Sequence, residues 1–288
     1  MPATHAEPHR ATRFAWPLLA AMALASGIAA LAGASTGSAT GGIAPDPLHG
    51  ARQLVLVTTA GWDANQGTLR RFERPDDSVP WHEVATFEVS IGRNGSAWGT
   101  GLLAAEDEDE GPRKREGDGR SPAGVFTLGT AFGYAGTAAS GLPYQAMQAS
   151  DWCMDVPASP YYNRIVDANQ VGEAAVAGSS EPMRLDLHGK GDPRYRLGFV
   201  IGHNPDNVPQ GGSCIFAHLW RRPGEPTAGC TAMADADMEA MLEWLDADKA
   251  PRFVLLPDAA YRRLAERWHW PAFGSAATAT AAIAEPVR

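Results

Sequence analysis

Cys230 and His218 are the two residues of this sequence best suited to covalent chemistry. They lie twelve positions apart, in Gly211-Gly212-Ser213-Cys214-Ile215-Phe216-Ala217-His218 and Pro226-Thr227-Ala228-Gly229-Cys230-Thr231. The thiolate is the nucleophilic form of cysteine, and a neighbouring imidazole favours it. His218 closes an alternating stretch that reads as a strand, whereas Cys230 sits on a glycine-bearing turn just ahead of a helix. A connection of hairpin length between them brings sulfur and imidazole within hydrogen-bonding reach. Gly229 removes a side chain beside the thiol, so a substrate carbonyl can approach and the turn can tighten. With Gly229 and Thr231 as the turn residues, backbone N–H groups around Cys230 are expected to stabilise a developing oxyanion. Taken alone, the pair has a plainer reading: a buried cysteine and an unrelated histidine.

The same residues have a rival use. His203, Cys214, His218 and Cys230 include a Cys-x3-His pair, and strand alternation places Cys214 and His218 on one face, so four zinc ligands can be imagined. No compact pair of ligand pairs is present, so neither metal nor other cofactor is expected. His188, in Asp186-Leu187-His188-Gly189, reads as a turn histidine after a strand. The nine tryptophans are scattered, which suits core or interface positions better than a sugar-binding surface.

Short strands must position these groups. Leu54–Val57, Thr86–Ile91, Val125–Leu128, Leu185–Leu187, Leu197–Ile201, Cys214–His218 and Phe253–Leu256 are apolar or alternating runs bounded by Gly, Pro, Asn or Asp. A helix follows Asp235 as N-cap, with Met238, Met241, Leu242 and Leu245 in one apolar stripe, and Pro251 stops it. A second helix is expected over Asp258–Trp268. The fold class is therefore mainly β with attached helices.

At the N-terminus, Arg10 and Arg13 precede an apolar run from Phe14 to Ala34 that ends in Ala32-Gly33-Ala34. That pattern reads as a secretory signal peptide over residues 1–34, with an uncleaved anchor as the alternative. Residues 35–50 have linker composition, residues 51–257 form the body, and residues 258–288 add the last helix and a tail expected to be disordered. No later stretch is long enough to span a bilayer, so no membrane span is expected after cleavage. Export to the periplasm or cell envelope follows. A net charge of -9 argues against nucleic acid as a partner. The run Glu106–Glu110 followed by Arg113-Lys114-Arg115 reads as a solvated loop. Three cysteines are too few for a disulfide scaffold, and an odd exported thiol fits catalysis.

Four stretches resemble the YkuD-type L,D-transpeptidase catalytic domain. Lys114-Arg115-Glu116-Gly117-Asp118-Gly119-Arg120-Ser121-Pro122-Ala123-Gly124-Val125-Phe126 is similar to the family's Thr-Pro-x-Gly-x-Phe segment. Asp155 with Tyr161-Tyr162-Asn163 is the second stretch. Gly212 to His218 is similar to the strand carrying the catalytic histidine, and Thr227-Ala228-Gly229-Cys230 to the nucleophile turn. The resemblance implies a β-sandwich with attached helices, acting on peptidoglycan stem peptides through a Cys230 thioester. His218 would be base and then acid, and Ser213, Thr227, Tyr162, Asn163 and Asp155 would contact substrate. Hydrolysis by the same fold (an L,D-carboxypeptidase or crosslink-cleaving amidase) and a non-catalytic wall-binding module are the alternatives. The chain departs from the family after the histidine, where Leu219-Trp220 stand, and after the cysteine, where Thr231-Ala232 replace an apolar residue and Arg. Arg221 or Arg222 offers a charge there, although a solvated loop is the simpler reading. Cys153 and Cys214 are expected near the cleft, either bridged or, as is commoner for buried free cysteines, separate.

Overall fold

The computed structural model describes residues 45–103 and 110–272. The expected signal peptide, most of the expected linker, the acidic run before Glu110 and the tail expected to be disordered lie outside the described residues. β-Branched and aromatic runs build a mainly β body. Its strands are β1 (Gln53–Thr59), β2 (Gln66–Glu73), β3 (His82–Ser90), β4 (Ser96–Trp98), β5 (Ser121–Gly133), β6 (Tyr144–Ala146), β7 (Asp151–Cys153), β8 (Ile165–Asp167), β9 (Glu181–Pro182), β10 (Leu197–Ile201), β11 (Phe216–Leu219), β12 (Thr231–Met233) and β13 (Arg252–Pro257). The helices are α1 (Ala168–Val171), α2 (Glu173–Val176), α3 (Leu185–His188), α4 (Asp235–Trp244) and α5 (Asp258–Trp268).

The large sheet runs β10-β11-β12-β3-β2-β1-β13-β5, and β5 also pairs with β10, so the ladder closes on itself. One long strand makes the closure. Gly124 to Thr127 of β5 pair with β13, and Leu128 to Gly133 pair with β10. A strand that turns such a corner joins the two sides of a sandwich and leaves fewer edges exposed. Every residue of β1 is buried, because α5 packs over β1 and β13 with Ala260, Tyr261 and Leu264. Met238, Met241 and Leu242 of α4 are buried as their spacing requires, with α4 against β10 and β11. Among the described residues no helix is long and apolar enough to cross a membrane.

A second sheet, β8-β7-β9, stands beside the ring. Cys153, at the end of β7, is disulfide-bonded to Cys214 across 5.9 Å between Cα atoms. The two cysteines are therefore a bridge and not separate buried thiols, and the bridge ties the small sheet to the loop entering β11.

Three local expectations are corrected. Leu185–Leu187 is one turn of helix, stabilised by the Arg184–Asp186 ion pair and the His188 N–H bond to the Arg184 carbonyl. The strand ending at His218 begins at Phe216, because Cys214 adopts a left-handed φ of 55°. Cys214 thus does not share a strand face with His218. The helix after β12 is capped by Ala234 and ends at Trp244, well before Pro251.

Candidate active site

β11 and β12 run parallel, with Ala217 opposite Thr231 and His218 opposite Ala232. One step earlier, Phe216 meets Cys230, and its N–H donates to Cys230 Sγ at 3.3 Å. Residues two apart on a strand share a face, so His218 and Cys230 both reach one cleft of about 410 Å³. His218 Nδ1 lies 2.8 Å from the Leu219 carbonyl. A carbonyl only accepts, so Nδ1 carries the proton and Nε2 keeps its lone pair. The Tyr195 ring meets the imidazole edge-on at 5.4 Å. Gly198 pairs with His218, and a Cβ there would stand 2.4 Å from the Ala217 carbonyl. A glycine is therefore required where β10 passes the imidazole.

Both groups are neutral near pH 7. Burial pushes the Cys230 thiol up to about 12, with Glu181 adding to the rise against the Phe216 N–H bond. Burial also pulls His218 down to about 4, and Arg194 acts in the same direction. The hydrogen-bond partners of Cys230 Sγ are the Phe216 N–H and the Cys214 carbonyl, not His218. The expectation that a bonded imidazole holds the sulfur as thiolate is therefore corrected, and desolvation sets the thiol's direction. Phe132, Cys153, Tyr195 and Phe216 form the apolar cluster around the sulfur. The thiol donates to the Cys214 carbonyl at 3.5 Å.

The nucleophile turn is held from two sides. Thr227 Oγ1 donates to the Cys230 carbonyl at 2.6 Å and accepts from Gly229 N–H at 3.1 Å. Ser121 Oγ donates to the same carbonyl at 3.1 Å and accepts from Gly92 N–H. A Cβ on Gly229 would come within 3.1 Å of the Arg120 carbonyl. Its φ is not left-handed, so its smallness admits the segment leading into β5. Thr231 is buried in β12.

Ser213, Thr227 and Asp155 line the cleft with Gly229, and Asp155 accepts from Ser180 N–H at 3.0 Å. Tyr162 and Asn163 stand behind the lining. The Tyr162 hydroxyl donates to Glu116 and accepts from Gly212 N–H, and Ser213 Oγ donates to the same Glu116 oxygen at 2.7 Å. Asn163 donates to the carbonyls of His203 and Asn204 and accepts from Cys214 N–H at 3.0 Å. These bonds shape the loop ahead of β11. His203 lies off the lining, bonded to the Gly211 carbonyl and the Thr100 N–H. With Cys214 in a disulfide, the imagined four-ligand zinc set is taken apart. His188 packs on Trp152 and bonds to Ala149. Arg221 lines the cleft, ion-paired with Glu225; Arg222 does not line it.

Sequence reading did not find Glu181, Arg194 and Tyr195, which complete the wall beside Cys230. They come from β9 and a 3-10 turn (Arg194–Arg196), and no spacing motif joins them to the nucleophile. Ser121 stood inside a quoted motif, yet its grip on the Cys230 carbonyl shows only in three dimensions.

The family model for the L,D-transpeptidase catalytic domain, YkuD, matches residues 75–254. No curated protein matches the sequence. The family match takes in Ser121, His218, Thr227 and Cys230 and more than half of the chain, so the protein belongs to the YkuD family of L,D-transpeptidase catalytic domains.

Proposed function

We propose that this protein is an exported peptidoglycan L,D-transpeptidase that works through a Cys230 thioester on stem peptides. The observation that carries the reading is the thiol and the tautomer-fixed imidazole on one face of the β11–β12 pair, opening into one cleft. When a stem tetrapeptide displaces water, His218 Nε2 takes the thiol proton as sulfur attacks the carbonyl between the diamino acid and the terminal D-Ala. The tetrahedral intermediate collapses, His218 returns the proton to the leaving amine, and D-Ala departs. A thioester remains. An amine of another stem then attacks it, His218 takes the proton the new amide sheds, and the sulfur leaves as thiol once that proton reaches it. The thioester conserves the energy of the cleaved amide, so no nucleotide is needed outside the cytoplasm. The Cys153–Cys214 bridge supports an oxidising compartment.

Incubation of the mature protein with purified tetrapeptide donor and tripeptide acceptor, with products identified by mass spectrometry, tests the proposal. Released D-Ala together with a new crosslinked product is the expected result. Hydrolysed donor alone, with no amine ever incorporated, would assign a hydrolase of the same fold.

A further inference from the structure

Four carboxylates line the cleft: Glu116, Asp155, Glu181 and Glu225. Three are fully engaged. Glu225 is ion-paired with Arg221 through both oxygens. Glu116 accepts from Tyr162, Ser213 and Gly117, and Asp155 accepts from Ser180 through both oxygens. Glu181 differs. Its Oε1 accepts from the Tyr195 hydroxyl, while Oε2 has no hydrogen-bond or ion-pair partner among the described residues. The nearby guanidinium of Arg194 is already paired with Asp192 at 2.9 Å. Glu181 is partly buried and lines the same cleft as Cys230.

Its placement is fixed independently of the nucleophile's own strand. Glu181 is in register with Cys153 on β7, and Cys153 is bonded to Cys214, whose carbonyl receives the Cys230 thiol. Tyr195 holds one oxygen and packs against His218, so carboxyl, imidazole and sulfur form one constellation. Once ionised, a carboxylate oxygen left open in the cleft that holds the thioester suits a cation, and the nucleophile of the second half-reaction arrives as a primary ammonium.

Resting on the transpeptidase reading, we infer that Glu181 is a catalytic residue of the acceptor half-reaction, whose Oε2 binds the acceptor ammonium and removes one of its protons. The carboxylate takes H⁺ from R–NH3⁺ to leave R–NH2, and the amine lone pair attacks the thioester carbonyl. As the amide forms, the nitrogen's second proton passes to His218 and on to the departing sulfur, restoring the thiol, and Glu181 releases its proton to solvent. Burial raises the Glu181 carboxyl, which strengthens it as a proton acceptor once ionised. Tyr195, Arg194, Asp192 and Asp155 are the charged and titratable groups that act on it.

The test is Glu181→Gln, which keeps the shape and can still accept from Tyr195. Acyl-enzyme formation from tetrapeptide donor and its aminolysis by tripeptide acceptor are measured separately, by quench-flow and intact mass. Acylation is expected not to fall, because losing the carboxylate removes one contribution to the raised Cys230 thiol, while aminolysis near neutral pH falls by about 10²-fold. The loss should shrink as pH rises towards about 10, where free amine no longer needs a base. Unchanged aminolysis would overturn the assignment, as would equal loss in both half-reactions, which would mark Glu181 as structural. A wild-type protein that forms no acyl-enzyme would overturn the transpeptidase reading itself, and this inference with it.

Discussion

At the scale of single residues, the chemistry depends on which atom holds the proton before substrate arrives. Cys230 is a thiol raised to about 12 and His218 a neutral imidazole lowered to about 4, both by burial. Alkylation of the free enzyme by iodoacetamide should therefore be slow at pH 7 and rise about tenfold per pH unit up to about pH 10. A rate that levels off below pH 7 would indicate a resting thiolate–imidazolium pair instead. The acid limb of kcat/KM should fall well below 6.5, because His218 stays an available base down to about 4. Replacing His218 with Ala should cost about 10²-fold or more in acylation, and a loss under about tenfold would remove it from proton transfer. The residue types and the Gly-Cys turn made this pair legible in the sequence, since both signals are local. Their protonation was not legible, because it depends on Phe132, Tyr195 and Phe216 gathered from three separate segments.

Among the elements, periodicity was the dependable guide. The stripe Met238, Met241, Leu242 and Leu245 is buried, and α5 spans Asp258–Trp268 as its sequence suggests. Three-residue windows were not dependable: Leu185–Leu187 satisfies strand and helix equally, and a local ion pair decides for helix. The corner in β5 has no periodic signature, because changing partners along one strand alters hydrogen bonding and not side-chain alternation. The Cys153–Cys214 bridge also lay beyond sequence, which cannot give a Cα separation. Thiol titration of the unfolded, unreduced protein should find one free thiol, and three would contradict the bridge. Cys153→Ser should lower stability by about 2–4 kcal/mol, since the bridge closes a long loop. Chemical denaturation of the oxidised protein measures that difference.

For the molecule as a whole, the closed ring, the small sheet and the disulfide between them set the cleft walls, and two buried histidines make the assembly sensitive to acid. His203 and His218 are both lowered by burial to about 4, whereas an unfolded histidine takes its proton near about 6.5. Between those values the unfolded chain binds more protons, so this stability is present above about pH 6.5 and lost as pH falls towards 4. Calorimetry should show Tm falling over that interval, and His203→Gln should make the fall shallower. An unchanged slope would mean that His203 does not titrate with unfolding. Of the whole, the family and the mainly β class were legible from four short motifs, whereas the cleft's charged wall was not, because only the tertiary fold brings β9 and the turn at Arg194 beside Cys230. The most direct test of the thioester is intact-protein mass spectrometry after mixing with tetrapeptide donor and rapid acid quench. Wild type should carry one acyl group, lacking D-Ala, that maps to Cys230 and disappears on addition of an acceptor amine. An unmodified Cys230 during active turnover, or full turnover by a folded Cys230→Ala variant, would contradict it.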